Sequence, residues 1–155
     1  MFKLNRKTEY ALLALRVLDQ RPAPELVRAK TIAAQYGIAP QMMSKVLQSL
    51  KTRGIVRGTT GPQGGYRLNM SLAEITFADV LACFTESVGL VDCVEGSGSC
   101  QQDALCDIQT PMRILNSAVM GFLDNITVGD LFATGFHEPG SLSLARRAVD
   151  LNAQS

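Results

Sequence analysis

A chain of 155 residues can bury a core as one domain or as a small domain with an appendage. No apolar stretch reaches the roughly 18 residues of a membrane span, and the opening MFKLNRKTEY lacks the apolar centre of a secretory signal, so a cytoplasmic protein with no membrane partner is expected. The net charge of +1 conceals an asymmetry: residues 1–70 carry twelve Lys or Arg against three Asp or Glu, and residues 71–155 carry three against eleven, so +9 stands beside −8 and only the first part suits a polyanion.

The first helix is expected to begin near Thr8, a residue type favoured at N-caps, and to run through EYALLALRVL to about Asp19. Ala11, Leu12, Leu15 and Leu18 then share one face, Pro22 and Pro24 end the helix, and Glu9 lies in the first turn, where a carboxylate complements the macrodipole. From Thr31 to Arg53 the pattern is two short helices joined at Gly37. Ile32, Ala33 and Tyr36 form the inner face of one, and Met43, Val46, Leu47 and Leu50 that of the other, with Pro40 suited to a first helical turn. This is a helix-turn-helix pattern. Its second helix turns Gln41, Ser44, Lys45, Gln48, Lys51 and Thr52 outward, hydrogen bonders and cations with no acid among them, as a helix entering the major groove of double-stranded DNA requires. Gly54 to Arg57 and Gly65 to Leu68 read as two strands round a Thr59–Gly64 tip, a basic wing with Arg57 and Arg67 as candidates for backbone or minor-groove contact.

Ser71 to about Glu86 reads as another helix, clearest from Thr76, where T-x-x-D resembles a capping box. The next stretch, CVEGSGSCQQDALC, places Cys93, Cys100 and Cys106 within fourteen residues around a Gly-Ser spacer. Three thiolates on one loop suit zinc or an iron-sulfur cluster completed by a fourth ligand from elsewhere. Disulfides and buried free thiols are the plainer alternatives, but three clustered cysteines cannot all pair within one chain and nothing points to an oxidising compartment; Cys83, in the apolar LACF, reads as a small core residue. Thr110 and Pro111 look like the N-cap and first residue of a helix of about 16 residues, roughly 24 Å long. Met112, Leu115, Val119, Phe122 and Ile126 recur on it at spacings of three and four, a seam for packing within the chain or against a second copy. From Thr134 the tail is rich in Gly, Ser and Ala and weakly helical at best.

Taken together, TEYALLAL, the helix-turn-helix, the GPQGGYRL wing, the three-cysteine loop and the long helix after it resemble the Rrf-type winged-helix regulators of bacteria over residues 1 to about 132. The resemblance implies a mainly α fold with a small β wing: a winged helix-turn-helix domain over residues 1–70, a cluster loop and dimerisation helix over 71–132, and a tail over 133–155. It implies a homodimer that binds operator DNA and holds an iron-sulfur cluster through Cys93, Cys100 and Cys106. The fourth ligand divides the family. The cluster-assembly branch has a histidine three residues after the last cysteine, where this chain has Gln109. The nitric-oxide and redox-sensing branches use an acid just before the Tyr-Ala pair of the first helix, here Glu9, reaching the partner's cluster; Asp103 and Asp107 are local substitutes, and His137 has no family role. Three cysteines and a carboxylate favour 4Fe-4S over 2Fe-2S by this analogy. Ser44 stands where the assembly branch has an acid, and Thr60 where it has a wing arginine, so operator sequence does not carry over.

The expected function is therefore a dimeric repressor sensing redox state, nitric oxide or iron status. A zinc-stabilised DNA-binding dimer without a switch is the alternative, and an iron-sulfur electron carrier is a further one. An enzyme is not expected, since no nucleophile-base pair and no dinucleotide fingerprint is present.

Overall fold

The computed structural model describes residues 4–85 and 106–133. Helix α1 (Arg6–Asp19) is the central element. Ala11, Ala14 and Leu15 on its inner face are fully buried, and two alanines there let neighbouring helices approach closely. The helix starts earlier than Thr8 because Asn5 caps it: the Asn5 side-chain oxygen accepts from the Lys7 N–H at 3.0 Å. Thr8 is instead a core residue.

Helices α2 (Ala29–Gln35) and α3 (Pro40–Thr52) follow the helix-turn-helix pattern. Gly37 makes the turn with φ +63°, a left-handed conformation that a side chain disfavours, and Pro40 opens α3 where no backbone donor is needed. Ile32 and Ala33 from α2 and Met43, Val46, Leu47 and Leu50 from α3 are buried against α1. Strands β1 (Val56–Thr59) and β2 (Gly65–Leu68) pair antiparallel with Val56 opposite Leu68 and Arg57 opposite Arg67. The first strand begins two residues later than the pattern suggested, because the N–H of Gly54 bonds the Lys51 carbonyl and that of Ile55 the Leu50 carbonyl, closing the end of α3. Val27 joins β2 by an isolated antiparallel bridge, exchanging backbone hydrogen bonds of 2.9 and 2.8 Å with Tyr66.

The helix expected over 71–86 is much shorter. Ser71 and Glu74 close a turn instead, the Glu74 carboxylate accepting from the Ser71 N–H and hydroxyl at 2.8 Å each, and α4 spans only Phe77–Ala82. The Thr76–Asp79 capping box is present as the sequence suggested, with both reciprocal hydrogen bonds made. Helix α5 (Gln109–Asn125) starts one residue before Thr110, with Ile108 at its N-cap position. It ends before Ile126, and a further helix α6 (Val128–Phe132), the last among the described residues and not expected from the sequence, is opened by a second capping box between Thr127 and Asp130. The two boxes face each other. The Phe77 N–H donates to the Ile126 carbonyl at 2.7 Å, and the Val128 N–H to the Ile75 carbonyl at 2.8 Å, so the entry to α4 and the entry to α6 are one bridged unit. Leu72, Ile75, Val80 and Val128 join the same buried cluster as α1–α3, so the core continues across residue 70.

Candidate nucleic-acid interface and cluster loop

Helix α3 separates its faces cleanly. Its apolar side is buried under α1 and α2, and Gln41, Lys45, Gln48, Lys51 and Thr52 are exposed on the other, with Ser44 half-buried beside them. Residues 41 to 52 span about 16 Å along the axis, enough for several base steps. The Thr52 hydroxyl turns back to the Gln48 carbonyl at 3.0 Å and so is engaged within the helix, whereas Gln41, Lys45, Gln48 and Lys51 reach into solvent.

The wing brings Arg57 and Arg67 opposite each other on adjacent strands, Arg57 exposed and Arg67 half-buried. Two like charges in cross-strand register repel, a cost that an anion beside them would relieve. Arg57 is not simply solvated: its Nε donates to the Asn69 side-chain oxygen, and the Asn69 amide donates in turn to the Gly54 carbonyl at 2.7 Å. The guanidinium is thereby aimed while its terminal nitrogens stay available. A second arginine, Arg28 at the N-cap of α2, donates to the Pro62 carbonyl and ties the wing tip to the helix-turn-helix. Neither Asn69 nor Arg28 was singled out from the sequence, because contacts 12 and 34 residues apart leave no local signal.

Of the expected cluster ligands, Cys93 and Cys100 lie outside the described residues, as do Asp103 and His137. Cys106 is a free, half-buried thiol just before α5, and Glu9 is exposed in the first turn of α1, its carboxylate making no hydrogen bond or ion pair among the described residues. Asp107 is exposed one residue beyond Cys106. Thiolates with one exchangeable carboxylate suit iron in a sulfur cluster, and a free thiol with an unengaged carboxylate is consistent with that donor set. Cys83 is a different kind of thiol. Its Sγ donates to the Asp79 carbonyl at 3.3 Å, and burial pushes its pKa up to about 11 against the lowering pull of Arg53; it is half-buried and packs against the core rather than within it.

Helix α5 buries none of its residues within the chain. Leu115 and Phe122 of the expected seam are 47% and 43% exposed, Met112 and Val119 are half-buried, and Ile114 beside them is 67% exposed. Ile126 does not belong to the seam. It lies past the helix end in extended conformation and is only 7% exposed, packed within its own chain through the bridge to Phe77. No helix among the described residues is long and apolar enough to cross a membrane.

Comparison with known proteins gives a consistent result. The profile of the Rrf2 family, described as an iron-dependent transcriptional regulator, matches residues 4–134. The HTH-type transcriptional regulator IscR of Vibrio vulnificus is 33% identical over 131 residues, covering 84% of this chain and 77% of that protein. Among solved structures, CymR, the global cysteine regulator of B. subtilis, superposes with a TM-score of 0.63 at 22% identity, over 84% of this chain and 96% of that one. The T. potens IscR structure gives 0.61 at 22% identity, over 84% and 85% of the two chains. These structures share the winged-helix fold, and the named relatives are transcriptional regulators rather than enzymes.

Proposed function

The chain belongs to the Rrf2 family of iron-dependent transcriptional regulators, and from that premise we propose that it is a homodimeric, cytoplasmic repressor whose hold on operator DNA is set by an iron-sulfur cluster. The observation that carries the DNA reading is the acid-free stripe of Gln41, Lys45, Gln48 and Lys51 on an α3 whose other face is buried. Gln41, Ser44 and Lys45, at the leading end of α3, meet base edges; Gln48, Lys51, Arg57 and Arg67 meet phosphates on either side. A second copy packed along Met112, Leu115, Val119 and Phe122 covers the unburied face of α5 and presents paired readers about one helical turn, roughly 34 Å, apart on the duplex.

Cys93, Cys100 and Cys106 hold the cluster as thiolates, and Glu9 of the second copy supplies the fourth ligand. The cluster, when bound, brings sulfur-ligated iron that oxidants, nitric oxide or iron shortage alter. The rest of the switch belongs to the protein. Glu9 stands on α1, which packs against α3 and shares one buried core with Met43, Val46 and Leu47, so engaging or releasing this carboxylate would bias where α3 lies. Glu9 would be a weaker and more exchangeable iron ligand than a thiolate, which suits a sensor.

Anaerobic purification with iron and sulfide analysis, followed by operator binding with and without the cluster, tests this reading. A brown protein whose operator affinity changes on stripping the cluster supports it. A colourless zinc protein with the same affinity in both forms replaces it with a static DNA-binding dimer. Glu9→Ala separates the ligand assignment from the rest: unchanged cluster stability and unchanged operator affinity remove Glu9 from the mechanism.

A further inference from the structure

We propose that Arg53 is the positioning residue through which a change at the cysteine loop reaches the DNA-reading helix; this rests on the cluster-switched repressor reading above. Arg53 is the C-cap of α3, its backbone N–H bonded to the Ser49 carbonyl at 3.2 Å. Its side chain leaves the reader altogether: Nη2 donates to the Ala82 carbonyl at 2.8 Å, 29 residues on. Ala82 is the last residue of α4, where carbonyls lack helical partners and the dipole is negative, so a guanidinium is held there by charge as well as by hydrogen bonding. The chain then turns through Cys83 and Phe84 toward the segment that carries Cys93 and Cys100.

The packing on either side of this contact shows why it can transmit motion. The N-terminal end of α4 is fixed, since Ile75 and Val80 are fully buried and the Thr76–Thr127 bridge locks its first turn. The other end is covered less completely: Leu81 is buried, while Ala82, Cys83 and Phe84 are half-buried. A cleft of about 440 Å³ lies between Lys7 of α1, Thr52 and Arg53 of α3, and Phe84 and Thr85 beyond α4. Beside that cleft the Arg53 guanidinium, bonded to the Ala82 carbonyl, ties the end of α3 to the end of α4. The raised Cys83 pKa, which Arg53 pulls downward, agrees with the guanidinium lying beside the thiol as well. Moving the Ala82 carbonyl therefore draws on the last turn of α3, one residue from Thr52 and two from Lys51.

The test measures operator affinity of the full-length protein, cluster-loaded and stripped, for wild type, Arg53→Ala, Arg53→Met and Arg53→Lys. Amide exchange in the last turn of α3 is followed in both forms. Wild type is expected to show a ratio within the usual range for allosteric coupling, about 5- to 150-fold. Both Arg53→Ala and Arg53→Met should bring the ratio to within about twofold while keeping the visible spectrum of the cluster, and Arg53→Lys should restore part of it. Exchange at α3 should depend on the cluster in wild type and not in those two variants. Arg53→Met keeps the apolar stem and covers the case in which Arg53→Ala alone fails to fold.

The proposal is overturned if these variants keep the wild-type ratio. It is overturned equally if they weaken DNA binding by the same factor in both forms, which makes Arg53 a phosphate contact, or if both lose the cluster or the fold, which makes it a structural support. A wild-type ratio of one is a different failure: it removes the switch itself, whatever Arg53 does.

Discussion

The first turn of α1 separates capping from packing. Asn5 caps α1, while Thr8 is 0% exposed and its hydroxyl meets no partner among the described residues. A buried hydroxyl without a partner costs on the order of 1–3 kcal/mol, so Thr8→Val, which keeps the shape and drops the oxygen, should leave the Tm unchanged or raise it. Asn5→Ala should cost about 1 kcal/mol and lower the Tm, and denaturation of both variants checks the pair. Cys83 gives a prediction in pH. With its pKa near 11, the thiol should react with iodoacetamide far more slowly at pH 8 than an unperturbed cysteine, roughly a hundredfold by thiolate fraction, and the rate should rise about tenfold per pH unit until near 11. Peptide mapping after timed alkylation reads this directly.

At the scale of single elements, the second T-x-x-D is the instructive one. Thr127–Asp130 repeats the spacing of Thr76–Asp79, and both form complete capping boxes, yet only the first is read from the sequence, the second lying directly behind the last seam position. The apolar spacing continues to Ile126 without interruption, and only the backbone turn there shows that α5 has ended. Gly129 allows α6 to lie against the preceding turn: a Cβ at this position would meet the Ala73 backbone nitrogen at 3.2 Å and the Leu72 carbonyl carbon at 3.3 Å, where the Gly129 N–H bonds the Leu72 carbonyl. Gly129→Ala should therefore destabilise, by about 1–3 kcal/mol as overpacked positions do, in a urea titration. Helix α5 makes the opposite kind of prediction, because its face is unburied. Leu115→Glu combined with Phe122→Glu should leave the fold intact by circular dichroism and yield a monomer by sedimentation, whereas an unchanged dimer would move the interface elsewhere.

On the scale of the whole molecule, the basic and acidic parts of the chain are joined by arginines reaching outward from the reader. Arg53 takes the end of α4, and Arg16 of α1 lies over the Phe132 ring of α6 at 5.2 Å from its centre. Charge asymmetry predicts the form of DNA binding: affinity should fall steeply with salt, each phosphate neutralised adding about 0.9 to the log-log slope, and Lys51→Ala should lower that slope by about one per subunit without changing sequence preference. Gln41→Ala should do the reverse, leaving the slope alone and relaxing discrimination among operator variants. Salt titrations of both proteins on matched and mismatched duplexes distinguish the two.

The amino-acid sequence alone determined the helix-turn-helix, the wing and the division of charge, because each is written in local terms: apolar spacing, a glycine at a turn, a proline at a helix start, a run of cations. The three-cysteine spacing is equally local, and two of its members, Cys93 and Cys100, lie outside the described residues. The tertiary structure decided what depends on partners distant in the chain. It made Thr8 a core residue, drew Ile126 into the bridge with Phe77, aimed Arg57 through Asn69, and set Arg53 on the end of α4. Such contacts join residues between 12 and 49 positions apart, and a separation of that size is closed by the burial of a shared core rather than by any pattern along the chain.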